Sequence, residues 1–381
     1  MPRLFSDYRL KDVTLRNRIA ISPMTQYSCG EDGVVTDWHM VHLGARAVGG
    51  AGLVVAEQLA VAPEGRMTPG CAGLWNDAQA VALARITRFI KAQGAIPGAQ
   101  LSHSGRKGGL RKPWEGYQQL PGSDPLGWES IGPSGIPYGG RIPRAAREMT
   151  LADIERVQHD YAAAARRALE AGFEWLEIHY AHGFLGASFL SPIANDRSDH
   201  YGGSPENRAR FLVETFAAVR AVWPERLPLT VRIGAIDFHP ETHTVEDSIA
   251  LVQSLAARGL DLVDISLGMN TDAAEVPWND RGFMVPTAAR IRRETGVPTA
   301  VSWNLGDPAH ADGLIREGAV DLLMVGRPAL ANPHWPLFAV MTLGEAAPLA
   351  LLPPQYRSFL EKAKDNPHAG GFGPIRQMAG A

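Results

Sequence analysis

The sequence predicts an α/β protein, a (β/α)8 TIM barrel, on three observations. Short β-rich runs alternate with segments of helical period, and the alternation repeats through eight units. No low-complexity linker interrupts the series, so the units belong to one closed parallel barrel rather than to separate domains. No GxGxxG fingerprint follows the first run, which removes the main support for an open dinucleotide-binding sheet. The 381 residues could make two average domains, yet one barrel absorbs most of them, over 1–345.

In chain order the strand runs are RIAISPM, AGLVVAEQ, AIPGAQLSH, FEWLEIHYAH, LPLTVRIGA, LDLVDISLG, VPTAVSWNL and VDLLMVGRPAL. Helical periods fill Asp77 to Gln93, Thr150 to Ala171, Ser204 to Trp223, Thr244 to Arg258, Pro286 to Thr295 and Asp307 to Glu317. Thr150 with Asp153, Thr244 with Asp247, and Ser204 before Pro205 supply N-terminal caps. Gly172, Gly259, Gly296 and Gly318 stand where helices end. Before the first strand, Leu10, Val13 and Leu15 alternate around a Lys-Asp pair, as in a hairpin closing the barrel floor. The Gly/Pro/Trp-rich stretch 105–147 after strand three is too long for an ordinary loop and reads as a cap over the top face. The tail, 346–381, is no ninth unit and is expected at a subunit interface, in a homodimer or homotetramer.

A formal charge of -3, with acidic and basic residues interspersed, argues against nucleic acid and membrane surfaces and leaves a small molecule as the partner. Two cysteines exclude a disulfide scaffold and a four-cysteine zinc cluster. The first residues, MPRLFSDYRL, form no signal peptide, and a cytoplasmic enzyme is expected.

Barrel enzymes build their chemistry at the carboxyl ends of the strands. Here those ends carry Ser22 to Tyr27, Glu57 and Gln58, Gln100 to His103, His179 and His182, Arg232, Trp303 and Asn304, and Gly326 with Arg327. No lysine terminates strands four to eight, which argues against a Schiff-base mechanism. His179 and His182 lack a convincing third ligand, so no metal site is expected. Arg232 within an apolar strand must find an anionic or multiply accepting partner to offset its desolvation, and a bound ligand is expected there. Gly326 and Arg327 lie where such barrels hold phosphate. With Gln100 and Arg232 deeper inside and Pro23-Met24 on strand one, the set describes a cradle for a flat, polar-edged ring with a phosphate tail, the shape of FMN.

Several longer stretches carry a resemblance: ISPMTQYS, HSGRK, VGRPALANPHW and, most specific, FEWLEIHYAHGFLGASFLSPIANDRSDHYGGSPENRARF. Over nearly its whole length the chain resembles the old yellow enzymes, in the branch of xenobiotic reductases and thermophilic-like ene-reductases. The resemblance implies an FMN enzyme that takes hydride from NADPH or NADH and reduces the activated C=C bond of α,β-unsaturated carbonyl or nitro compounds. Pro23, Met24 and Thr25 would line the flavin, Gln100 and Arg232 would bond its pyrimidine edge, and Gly326 and Arg327 would hold the phosphate. His179 and His182 would donate to the substrate oxygen, with the turn after strand four bringing both to one spot; Tyr27 and Trp303 would be pocket walls.

Four positions depart from the family pattern. Thr25 replaces a cysteine that tunes the flavin, Gln58 an alanine beside it, and Asn304 a glycine in the phosphate loop; Gln58 and Asn304 could each add a side-chain hydrogen bond to FMN. Phe184 replaces the tyrosine that protonates the substrate α-carbon. Delivery then falls to Tyr27, Tyr180, a cap residue or water, with Tyr27 or solvent preferred and Tyr27 counted with the catalytic residues. That loss also opens two other functions: an alkene isomerase or desaturase on the same barrel, and a non-catalytic flavin-binding protein.

Overall fold

In the computed structural model, which describes residues 3–121 and 123–363, eight strands close into a parallel barrel. They are Ile19–Ile21, Leu53–Ala60, Ile96–Ser102, Trp175–Tyr180, Leu229–Ile236, Leu262–Leu267, Thr299–Val301 and Leu322–Val325, and the eighth pairs with the first. These are the eight runs read from the sequence, so the barrel stands as expected. The second strand runs through Ala60, past Glu57 and Gln58, with a register shift between Val55 and Gln58.

The caps behave as their chemistry dictates. Thr150 Oγ1 accepts the Asp153 N–H at 3.1 Å while the Asp153 carboxylate accepts the Thr150 N–H at 2.9 Å, which satisfies two otherwise orphaned donors of the helix Leu151–Glu170. Thr150→Ala should therefore cost about 1 kcal/mol. In a chain of this size that lowers the thermal unfolding midpoint by roughly 2 °C, measurable by calorimetry.

Of the helices that the periodic reading missed, two escape it for the same reason, that their burial does not follow an apolar stripe. Asp37–Val48 buries His39, His42 and Arg46 beside Leu43 and Ala47, so its inward face is polar. Trp335–Thr342 is nearly all apolar and shows no contrast between faces.

The hairpin Tyr8–Leu10 with Val13–Leu15 lies at the amino ends of the strands, where Leu15 is fully buried and Lys11 reaches Asp261, just ahead of strand six, at 3.3 Å. At the opposite end the segment after strand three is bolted to the top loops. Arg106 Nη2 donates to the Asn270 carbonyl at 2.6 Å, and Lys107 Nζ donates to the carbonyls of His182 at 2.7 Å and Met269 at 2.9 Å. The tail forms a helix, Pro354–Ala363, with Tyr356 and Phe359 exposed; the expectation for 364–381 lies outside the described residues. Among the described residues no helix is long and apolar enough to cross a membrane.

Candidate active site

Alternation along the barrel strands turns four polar side chains inward, and they partner one another. Arg232 and Asp264 are opposite each other in strands five and six, and Arg232 Nε stands 3.0 Å from Asp264 Oδ2. The guanidinium also donates to Ser302 Oγ at 2.9 Å and Ser22 Oγ at 3.3 Å. The anionic partner that Arg232 requires is thus supplied by the protein; no ligand is needed to explain it, contrary to the inference from the strand alone. Asp264 was legible by the same logic, since a carboxylate in LDLVDISLG is as anomalous as the arginine. On the adjoining strands Gln100 Nε2 donates to Glu177 Oε1 at 2.7 Å. Burial pushes both carboxyls up from the usual range; Asp264 adds to the rise at Glu177, and Arg232 opposes it at both.

His179 is the next-to-last residue of strand four, and His182 follows in a left-handed turn with φ 60°, backed by Gly183 at φ 68°. A bent chain of this kind brings residues three apart to one side, which flat alternation would not. The two rings lie 4.8 Å apart at 75°. His182 Nε2 meets Ser266 Oγ at 2.8 Å, and the same hydroxyl accepts the Trp303 indole N–H at 3.1 Å. His179 Nδ1 is buried and has no partner. Burial first, then the charges of Arg232 and Lys107, holds both imidazoles well below 6.5, so both rings are neutral at pH 7.

Around them, the Phe184 ring is 5.0 Å from His179, and Trp303 is 6.2 Å from His182 with the Arg327 guanidinium 5.7 Å above its indole. Tyr27 sits at φ 53°, in a segment fastened where Gln26 N donates to the buried Glu57 carboxylate, itself 3.2 Å from His39 Nε2.

Two cavities meet here. One, about 620 Å³, is lined by Met24, Asn304, Gly326 and Arg327; the other, about 580 Å³, by Thr25, Tyr27, Gln58, Gln100, His179 and Phe184. Pro23, His182, Arg232 and Trp303 line both. Every site residue predicted from the sequence therefore borders this continuous space.

Two expectations need correction in detail. The Asn304 amide is turned to the carbonyls of Trp278 at 2.7 Å and Asp280 at 2.9 Å, so it braces the loop and is not a free donor to a phosphate. Tyr180 points outward, donating to the Leu212 carbonyl at 3.0 Å, and cannot reach a substrate. Asp264, Glu177, Ser266 and Lys107 went unassigned as site residues in the sequence reading.

The space fits FMN. Arg232, Gln100 and Gln58, whose Oε1 is buried without a partner, line one part of it with polar groups that would suit a ring edge, and Gly326 with Arg327 line another that would suit a phosphate.

The model for the NADH:flavin oxidoreductase / NADH oxidase family matches residues 3–341. An NADPH dehydrogenase of Geobacillus thermodenitrificans (strain NG80-2) is 42% identical over 342 residues, covering 90% of this chain and 94% of its own. One from Listeria innocua serovar 6a is 40% identical, covering 91% and 96%. Among solved structures, morphinone reductase superposes with a TM-score of 0.75 at 26% identity, covering 91% of this chain and 90% of its own. An old yellow enzyme homologue from Zymomonas mobilis gives 0.71 at 27%, covering 87% and 90%. With the barrel, the cradle and these likenesses together, the chain belongs to the NADH:flavin oxidoreductase / NADH oxidase family, as an FMN-dependent oxidoreductase with a reduced nicotinamide as its hydride donor.

Proposed function

We propose that the enzyme reduces the activated C=C bond of α,β-unsaturated carbonyl or nitro compounds, with His179 and His182 holding the substrate oxygen. The observation that carries this reading is the pair of neutral imidazoles 4.8 Å apart, one with a buried, unpartnered Nδ1, beside the cavity. FMN, when bound, supplies hydride transfer between the nicotinamide and the alkene β-carbon. Negative charge then gathers on the substrate oxygen, where two fixed N–H donors in a dry site stabilise it without reorganising. Arg232 and Gln100 would hold the polar edge of the ring, Pro23, Met24 and Thr25 its faces, and Gly326 with Arg327 the phosphate. Tyr27, Phe184 and Trp303 shape the substrate pocket.

Phe184 favours a second reading, since a phenyl ring beside His179 has no proton to give: an alkene isomerase or desaturase using the same site. Anaerobic half-reactions separate the two. Enzyme bleached by NADPH and reoxidised one-for-one by cyclohexenone supports reduction, whereas isomerised product with no net NADPH use supports the second. A phenol, whose oxygen mimics an enolate, should bind the oxidised holoenzyme with a spectral shift that either His179→Ala or His182→Ala weakens at least tenfold. Unchanged phenol affinity in both would overturn the histidine assignment.

The tail helix, with Tyr356 and Phe359 exposed, also supports a homo-oligomer in which this surface meets another subunit.

A further inference from the structure

We propose that Lys107 delivers the proton to the substrate α-carbon. This deepens the ene-reduction reading and rests on it.

Lys107 ends the short turn Gly105–Lys107 at the root of the cap and is only 8% exposed. It lines the same cavity as His179, His182 and Phe184. Its ammonium is fixed by the carbonyls of His182 at 2.7 Å and Met269 at 2.9 Å and lies 4.1 Å from the centre of the Tyr138 ring. Among the described residues no carboxylate pairs with it within 4.0 Å. A Cβ placed on Gly183 would stand 2.9 Å from Nζ, so the amine is pressed against the very turn that carries His182 and Phe184.

The other proton-bearing groups of the cavity suit the task less well. Burial drives the Tyr27 hydroxyl far above 10 and Tyr138 up to about 12, and both histidines are neutral. Tyr180 is outside the cavity. The groups facing Lys107 are Arg106 beside it, Tyr138 from the cap, His179 and His182 from strand four, and Asp237 and Asp272 from the loops after strands five and six. Burial and then Arg106 bring its amine down to about 7, with the two aspartates opposing. A general acid works best when its affinity for the proton lies near the working pH.

In the step itself, hydride added to the β-carbon leaves an enolate whose oxygen the histidines hold. One Nζ–H bond breaks and its electron pair stays on nitrogen as a neutral amine. The enolate electron pair forms the new α-C–H bond, and the amine regains a proton from water before the next turnover.

The test uses pre-reduced holoenzyme under argon, mixed with cyclohexenone or 1-nitrocyclohexene over pH 6 to 9. Wild type should reduce cyclohexenone with a rate that falls as pH rises through about 7. Lys107→Met should slow that reaction about 10²–10³-fold and flatten this limb of the profile. The same variant should still pass hydride to the nitroalkene at near wild-type rate, releasing unprotonated nitronate visible in the ultraviolet. Lys107→Gln, which can still donate to the two carbonyls but carries no titratable proton, should behave like Lys107→Met. Wild-type rate and pH profile in either variant overturns the proposal, as does nitronate release by Tyr27→Phe but not by Lys107→Met. A wild-type enzyme that oxidises NADPH yet reduces neither compound overturns the ene-reduction reading itself, and the proton assignment with it.

Discussion

His179→Ala should slow reoxidation of the reduced enzyme by cyclohexenone about 10²–10³-fold, roughly 3 to 4 kcal/mol of lost stabilisation of the developing oxyanion. The ring stands near the end of strand four, packs against Phe184 and leaves Nδ1 without a partner inside the protein, so its removal breaks no internal hydrogen bond there. The yellow, FMN-loaded protein should therefore still be recovered, and that separates loss of catalysis from loss of fold. His182→Ala is expected to lose a similar factor with more disturbance, because Ser266 and Trp303 lean on that imidazole through one hydroxyl. Stopped-flow traces at saturating enone measure the step. Since burial holds both rings neutral, no histidine titration should appear between pH 6 and 8, and a limb in that range that vanishes with either histidine would refute the neutral-donor scheme.

What could be read from the chain and what could not divide along a physical line. Local rules wrote themselves into the sequence: Thr150 with Asp153, the positive-φ Gly172 and Gly259, and the apolar strand cores each depend on near neighbours, and each stands in the structure. That the strand-end residues border one space was legible because barrel closure turns a position in a run into a position in space. Their partners were not. That Arg232 meets Asp264 is a matter of register between strands five and six, and that Ser266 ties His182 to Trp303 needs strand six brought to the turns after strands four and seven. Lys107 could be seen to miss the later strand ends, but only the fold of the cap returns it to the strand-four turn. The helix Asp37–Val48 was hidden by His39, His42 and Arg46 on its buried face, where a pattern search expects apolar residues.

Arg232→Met should cost about 3–5 kcal/mol of stability, the usual result of removing one member of a buried ion pair. The carboxylate left behind, Asp264, is fully buried, and Glu177 with 2% exposure lies in the same interior. Without the guanidinium that opposes it, the rise already imposed on these carboxyls by burial must grow. The sign follows: a carboxyl whose folded-state pKa exceeds its unfolded one binds more protons when folded, so its penalty is absent at pH below the unfolded value and increases as pH rises toward the folded one. The variant should accordingly look least damaged near pH 5 and most damaged near pH 8 in urea titrations. Adding Asp264→Asn should recover most of that loss and remove much of its pH dependence. With Arg232 at the ring edge as proposed, it should not restore FMN affinity; both single and double variants should then bind FMN ten- to a hundredfold more weakly by fluorescence quenching, the equivalent of about 1.5–3 kcal/mol for a hydrogen bond to a charged group. Equal stability in the single and double variants would show that the pair does not balance the barrel interior, and unaltered FMN affinity would remove Arg232 from the cofactor site.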